Sequence, residues 1–216
     1  MSATRRRVRT TVRLALVVVA TVVLAAVAWP RDGGNPFRAY AASTLTPGVG
    51  LSELQLGTTT LGGFLERFGA GRPALAFGDE TAVELAFARA GAVFTYVVDG
   101  ACADAVQRGH REVFRALVSG RSFVSSYPAC ADEPLDTLAL RLVAGRTFWR
   151  GATDLGVRLG QPRNVALAAL GAPPASDAEE PTPESWFDPS GLVVRFGTDP
   201  GDRTRWQVVE LVVVAP

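Results

Sequence analysis

The chain has 216 residues, 48% of them apolar, which suffices for one or two small domains with a packed core. Its net charge of +1 is split: residues 1–41 hold seven Arg and one Asp, whereas residues 42–216 hold fifteen Arg and twenty acids. A mildly acidic body excludes the basic face that nucleic-acid binding requires, and the absence of any Lys or Ile reads as GC-rich codon bias rather than phosphate recognition.

In chain order, a basic cytoplasmic segment (residues 1–13, with Arg5, Arg6, Arg7, Arg9 and Arg13) abuts an apolar run from Leu14 to Trp29. At ~1.5 Å per residue such a helix reaches about 24 Å, slightly short of a ~30 Å hydrocarbon core, with Arg13 free to snorkel and Trp29 suited to the interface. The Arg excess on the N-terminal side orients the body outward. Two readings stand. Residues 14–29 are a retained signal-anchor in the cytoplasmic membrane, or a signal peptide cut after Ala28 at Ala26-Val-Ala28. Either exports the body, to the outer side of the cell membrane or to the periplasmic or extracellular space.

Residues 30–47, rich in Pro, Gly, Ser and Thr, read as a linker. A first unit is expected over 48–145. In it Leu56-Gly57 precedes Thr58, Thr59 and Thr60, any of which can cap a helix carrying Leu61, Phe64, Leu65 and Phe68 at helical spacing. Gly62 and Gly63 weaken that helix, and Gly69 to Pro73 ends it. Val83, Leu85 and Phe87 alternate as a strand, and Val93 to Val98 returns after Gly91. Residues 99–126 stay open, with Asp99 able to cap a helix through Val106. Leu138, Leu140 and Leu142 alternate as a further strand.

A second unit is expected over 146–216. Leu159-Gly160 precedes a helix opened by Gln161-Pro162-Arg163, with Val165, Leu167, Ala168 and Leu170 as its apolar stripe and Gly171-Ala-Pro173 as its stop. Residues 172–184 form a Pro- and acid-rich loop. Trp186 to Leu192 makes a hairpin around Asp188-Pro-Ser-Gly191, and Trp206 to Val214 is a closing strand. The shared order of Leu-Gly, helix, Gly and hairpin recurs about 100 residues apart, which points to two tandem α+β units, each a helix packed on an antiparallel sheet, behind one N-terminal helix.

Over Leu159-Gly160, Val165, Leu170-Gly171-x-Pro173, Trp186 and Gly191 to Phe196, the second half resembles the SmpA/OmlA-type (BamE-like) small envelope proteins. The likeness covers residues 153–214, and 49–98 more loosely. It implies helices followed by an antiparallel sheet. This chain has no Cys near the leader to carry a lipid, as the outer-membrane members do. A tandem of such units also resembles secreted β-lactamase-inhibitor proteins, in which two units present a concave sheet to a partner. Both likenesses imply binding to an envelope protein or inhibitor target rather than catalysis.

The residues able to carry chemistry are few. Cys102 and Cys130 are the only cysteines, and in an exported body a lone pair is expected to form a disulfide worth roughly 3–4 kcal/mol; free thiols and a redox or metal role are the alternatives. His110, the only histidine, sits in Arg108-Gly-His110-Arg-Glu112 and reads as a surface turn. Asp177, Glu179, Glu180 and Glu184 could receive a cation or a basic partner, although Pro181 and Pro183 favour an open loop. Trp149, Trp186 and Trp206 are candidate interface residues, with core packing as the other reading. No catalytic, cofactor or metal motif is present. The expected function is non-catalytic binding through the sheets of the tandem units. The alternatives are a carboxylate-based hydrolase of cell-envelope glycans and a structural accessory domain without its own partner.

Overall fold

The alternation of apolar and polar residues along the strands is realised in antiparallel sheets. The computed structural model describes residues 35–119, 121–143, 147–171, 185–199 and 202–215. The leader and the acids at 177–184 lie outside the described residues. The fold is α+β, with two antiparallel sheets and several helices.

A small sheet joins β1 (Leu45–Thr46), β2 (Gly50–Leu51) and β3 (Leu54–Gln55). The large sheet contains β4 (Arg72–Phe77), β5 (Thr81–Phe87), β6 (Ala92–Val98), β7 (Thr137–Arg141), β8 (Ser185–Asp188), β9 (Leu192–Asp199) and β10 (Asp202–Val214). Its order is β4-β5-β6-β7-β10-β9-β8, so both halves of the chain share one continuous sheet. No sheet boundary falls at 145/146. Residues Pro36–Pro216 form a single compact unit.

The first helix, α1 (Leu61–Phe68), begins where the threonines predict: the Thr60 side chain accepts from the Gly63 backbone N–H at 3.3 Å. Its weakening glycine has a packing reason. A Cβ on Gly62 would meet Ala131 Cβ and carbonyl oxygen at 3.0 Å. Between β6 and β7 the open stretch is helical, as α2 (Gly100–Arg108), α3 (His110–Ser119), α4 (Arg121–Ser126) and α5 (Pro128–Ala131). Cys102 of α2 and Cys130 of α5 are joined by a disulfide, their Cα atoms 4.8 Å apart.

The last helix, α6 (Arg163–Leu170), forms as expected but presents a different face. Ala166 is fully buried, while Val165 is 48% exposed and Ala168 also faces solvent. Of the expected stripe Leu167 and Leu170 pack against the core, whereas Val165 and Ala168 turn outward and Ala166 takes the innermost place.

The largest correction concerns the linker. Phe37 and Tyr40, assigned to it, are core residues, 0% and 5% exposed. The Phe37 ring lies 4.8–6.2 Å from those of Phe64, Phe68, Phe87, Phe94 and Phe148. Leu45 is buried as well, and its N–H donates to the Ala152 carbonyl at 3.1 Å. The segment before β1 thus seals the core instead of tethering it.

The ladders of the large sheet correspond in detail. Ala92–Leu140, Val93–Ala139, Phe94–Leu138 and Thr95–Thr137 join β6 to β7. Leu192–Val213, Val193–Val212, Val194–Leu211 and Arg195–Glu210 join β9 to β10. The central β7–β10 register is symmetric about Ala139–Val212, flanked by Leu138–Val213 and Leu140–Leu211, then by Thr137–Val214 and Arg141–Glu210. Isolated bridges match too: Thr60–Pro134 in one half, Pro162–Gln207 in the other. The Gly57 N–H donates to the Leu135 carbonyl and the Gly160 N–H to that of Val208, both at 2.8 Å.

The hairpin glycines Gly91 (φ 63°) and Gly191 (φ 90°) occupy matching places, each accepting from the strand end beside it, Arg141 N–H at 2.6 Å and Val214 N–H at 2.9 Å. A Cβ at Gly91 would run into the Arg141 carbonyl oxygen, and one at Gly191 would lie 2.6 Å from that of Val214. Gly91→Ala and Gly191→Ala are each expected to destabilise by about 2–4 kcal/mol, from the positive φ and the displaced backbone together. Urea titration of the two variants checks this; a loss at one site only would break the equivalence of the two hairpins.

Candidate interaction face

Pairing register divides the large sheet into two faces. Leu85, Phe94, Leu138, Val213 and Leu192 stand in line across it on the core side, and Leu140, Leu211, Val194 and Trp186 form the neighbouring row of the same side. The described helices contribute to that side: Phe64 of α1 is 4.5 Å, ring to ring, from Phe94, Gln107 of α2 donates to the Thr81 hydroxyl, and Arg163 of α6 lies over the Phe196 ring. On the opposite face the same register aligns Glu84, Ala86, Val93, Thr95, Ala139, Val212, Val193 and Phe187. No described helix covers it. Seven strands at ~4.8 Å spacing make a surface about 29 Å across.

The texture of this face follows from its side chains. Small residues, Ala82, Ala86 and Ala139, lie low among half-buried valines, and Phe187 at the β8 edge is 60% exposed. Across β7, β10 and β9, on the β8 side of this face, stands a charged group built by register. Glu210 pairs with Arg141 on β7 and with Arg195 on β9, one on each side. The Arg141 Nε donates to Glu210 Oε1, and the Arg195 Nη1 donates to Oε2 at 2.9 Å. The Glu210 side chain is only 8% exposed, while the arginines are 50% and 53% exposed. A carboxylate removed from water is tolerated because both oxygens accept charge-assisted bonds. The cost of holding two guanidiniums near each other is met by that shared anion. The result is a net positive group of two half-exposed guanidiniums, with N–H donors beyond those given to Glu210, suited to a partner's carboxylate.

The ladder positions matching Arg195, Glu210 and Arg141 in the other half hold Thr95, Thr137 and Val214. Backbone pairing is symmetric, whereas the charge is one-sided.

The expected site residues are distributed differently. Trp149 and Trp186, candidates for an interface, are core residues, 1% and 3% exposed, and the Trp149 indole N–H donates to the Ser43 carbonyl at 2.8 Å. Their large apolar area is drawn inward by the core they complete. Trp206 is 37% exposed, but by register it stands with Val208 and Phe196 on the helix side rather than on the open face. His110 is the first residue of α3 and not a turn; it lines a groove with Leu75 and Phe77. Glu133, which accepts from the Asp99 N–H at 3.5 Å, has its carboxyl held above the usual range by partial burial and by the nearby Asp99 charge. Among the described residues no three His, Cys, Asp or Glu side chains gather to hold a metal, and no helix is long and apolar enough to cross a membrane.

Residue-by-residue reading missed Arg141, Arg195, Glu210 and Phe187. One signal was available: Glu210 is the lone charge inside the Val208 to Val214 run, and such an acid needs a cation partner. No protein-family model, curated protein or solved structure matches the chain.

Proposed function

We propose that this protein is a non-catalytic, exported envelope protein whose open sheet face binds another protein or envelope component, with carboxylates of the partner meeting Arg141 and Arg195. The observation that carries the reading is the seven-stranded face, free of described helices, with two half-exposed guanidiniums held across β7, β10 and β9 by a buried Glu210. An ion group held in place on an apolar surface sets orientation and specificity at an interface more than raw affinity. We take residues 48–145 and 146–216 to be tandem copies of one unit sharing that sheet, related by a pseudo-dyad through the Ala139–Val212 pair; the matched ladders, bridges and hairpin glycines support this. The resemblance to SmpA/OmlA-type and β-lactamase-inhibitor proteins agrees with such a role. The disulfide suits an oxidising compartment outside the cytoplasm, reached through the leader at residues 14–29.

The test places a photo-crosslinking side chain at Val93 or Val193 on the open face, and at exposed Asn164 on α6, in cells making the full chain. A discrete adduct from the sheet positions, absent from Asn164 and lost in R141E/R195E, is the expected result. Equal labelling from all three positions, or adducts indifferent to R141E/R195E, would overturn the reading.

A further inference from the structure

A second surface lies far from the charged centre, at the β4 edge of the sheet. β4 pairs with β5 alone, and no described strand covers its other side. Arg72 and Pro73 blunt the start of this edge, but Ala74 to Phe77 carries neither a charge nor a proline, which leaves a row of backbone donors and acceptors open to pairing. Register puts Leu75 and Phe77 on the helix side of the strand, opposite Val83 and Thr81.

There they meet α3 across a groove of about 390 Å³, lined by Leu75, Phe77, His110, Arg111, Phe114 and Arg115. Its floor is apolar and open to water: Phe77 is 56% exposed and Phe114 41%. Its wall is cationic. Arg111 and Arg115, four residues apart, lie on one side of α3 and form no ion pair among the described residues. Among the described residues no acid lines the groove. An exposed aromatic floor beside two exposed guanidiniums is complementary to a ligand that is apolar and anionic by turns.

We infer that this groove docks an extended acidic segment of a partner protein, added as a strand on the free edge of β4, with alternate side chains entering between Phe77, Phe114, Arg111 and Arg115. Main-chain pairing to an edge supplies affinity, and pockets for every second side chain supply selectivity. An anionic lipid headgroup would use the arginines but not the backbone row. The site is independent of the open sheet face.

The probe is a fluorescein-labelled peptide of about eight residues, long enough to span β4 at ~3.3 Å per residue, with Glu and Leu alternating on one side and Thr on the other. Fluorescence anisotropy with the full chain in detergent is expected to give at least tenfold tighter binding than for the Lys-for-Glu peptide, a gap that narrows with salt. R111E/R115E, both exposed positions, reverses the preference while circular dichroism stays unchanged. N-methylation of alternate peptide nitrogens weakens binding at least tenfold. Equal affinity for the two peptides, indifference to R111E/R115E, or full binding of the N-methylated peptide each overturns the proposal. So does R111E/R115E-sensitive binding of phosphatidylglycerol vesicles without any peptide binding.

Discussion

Phe37→Ala is expected to lose about 3–5 kcal/mol of stability and to detach the segment before β1 from the body. The ring is fully buried and sits among five other aromatic rings, so its removal leaves a void that rigid neighbours cannot close. The loss is a large share of the 5–15 kcal/mol typical of a folded domain. The segment it anchors also supplies the Ser43 carbonyl to the Trp149 indole and the Ala41 carbonyl to the Arg150 N–H. Detachment therefore exposes Trp149, and its fluorescence is expected to shift to the red before global unfolding. Guanidinium denaturation and limited proteolysis at residues 36–47 measure both effects. A variant with unchanged midpoint and protease resistance would mean that the segment is a tether after all.

Loss of the Cys102–Cys130 disulfide is expected to cost about 3–4 kcal/mol, by the greater freedom of the unfolded chain. The bridge closes the helical insertion between β6 and β7, so the effect concentrates there. Amide exchange in C102S/C130S should accelerate across residues 100–131, well ahead of β6 and β7, whose ladder does not depend on the bridge. Because α3 lies inside the closed loop and forms the wall of the β4 groove, binding of the acidic peptide weakens in the same variant. Recognition on the open sheet face persists, since Arg141, Glu210 and Arg195 lie on β7, β10 and β9. Reduced protein with a melting curve and exchange pattern like the oxidised form would sink this account.

Much of the architecture is legible locally. Thr60 before the Leu61, Phe64, Leu65, Phe68 stripe specifies α1, because a hydroxyl that satisfies an orphan N–H and a one-sided apolar face act within a few residues of each other. Gly69 and Gly171 stop their helices at φ 73° and 75°, a conformation that side chains resist. The alternation in Val83 to Phe87, Val93 to Val98 and Leu138 to Leu142 marks strands, and Asp188 to Gly191 marks a hairpin.

What escaped the reading depended on distant partners. Gly69 to Pro73 reads as a helix stop and Ala74 to Phe77 carries no strand signal, because Arg72-Pro-Ala-Leu-Ala-Phe77 has no β-branched residue; β4 exists through its pairing with β5. Phe37 and Tyr40 lie in a Pro- and Gly-rich stretch without periodicity, yet an aromatic cluster assembled from residues up to Phe148 draws them in. Trp149 and Trp186 could equally have served a surface or a core, and only the packing of both halves of the chain places them inside. The Arg141–Glu210–Arg195 group spans 69 residues between its first two members, and its geometry is set by the β7–β10 register. Residue type and spacing thus determined which segments become helix or strand and which way they turn, since those preferences are settled by near neighbours. Which strands lie side by side, which face stays open and which charges meet there were decided by the tertiary structure, because burial and register couple residues that the chain itself keeps far apart.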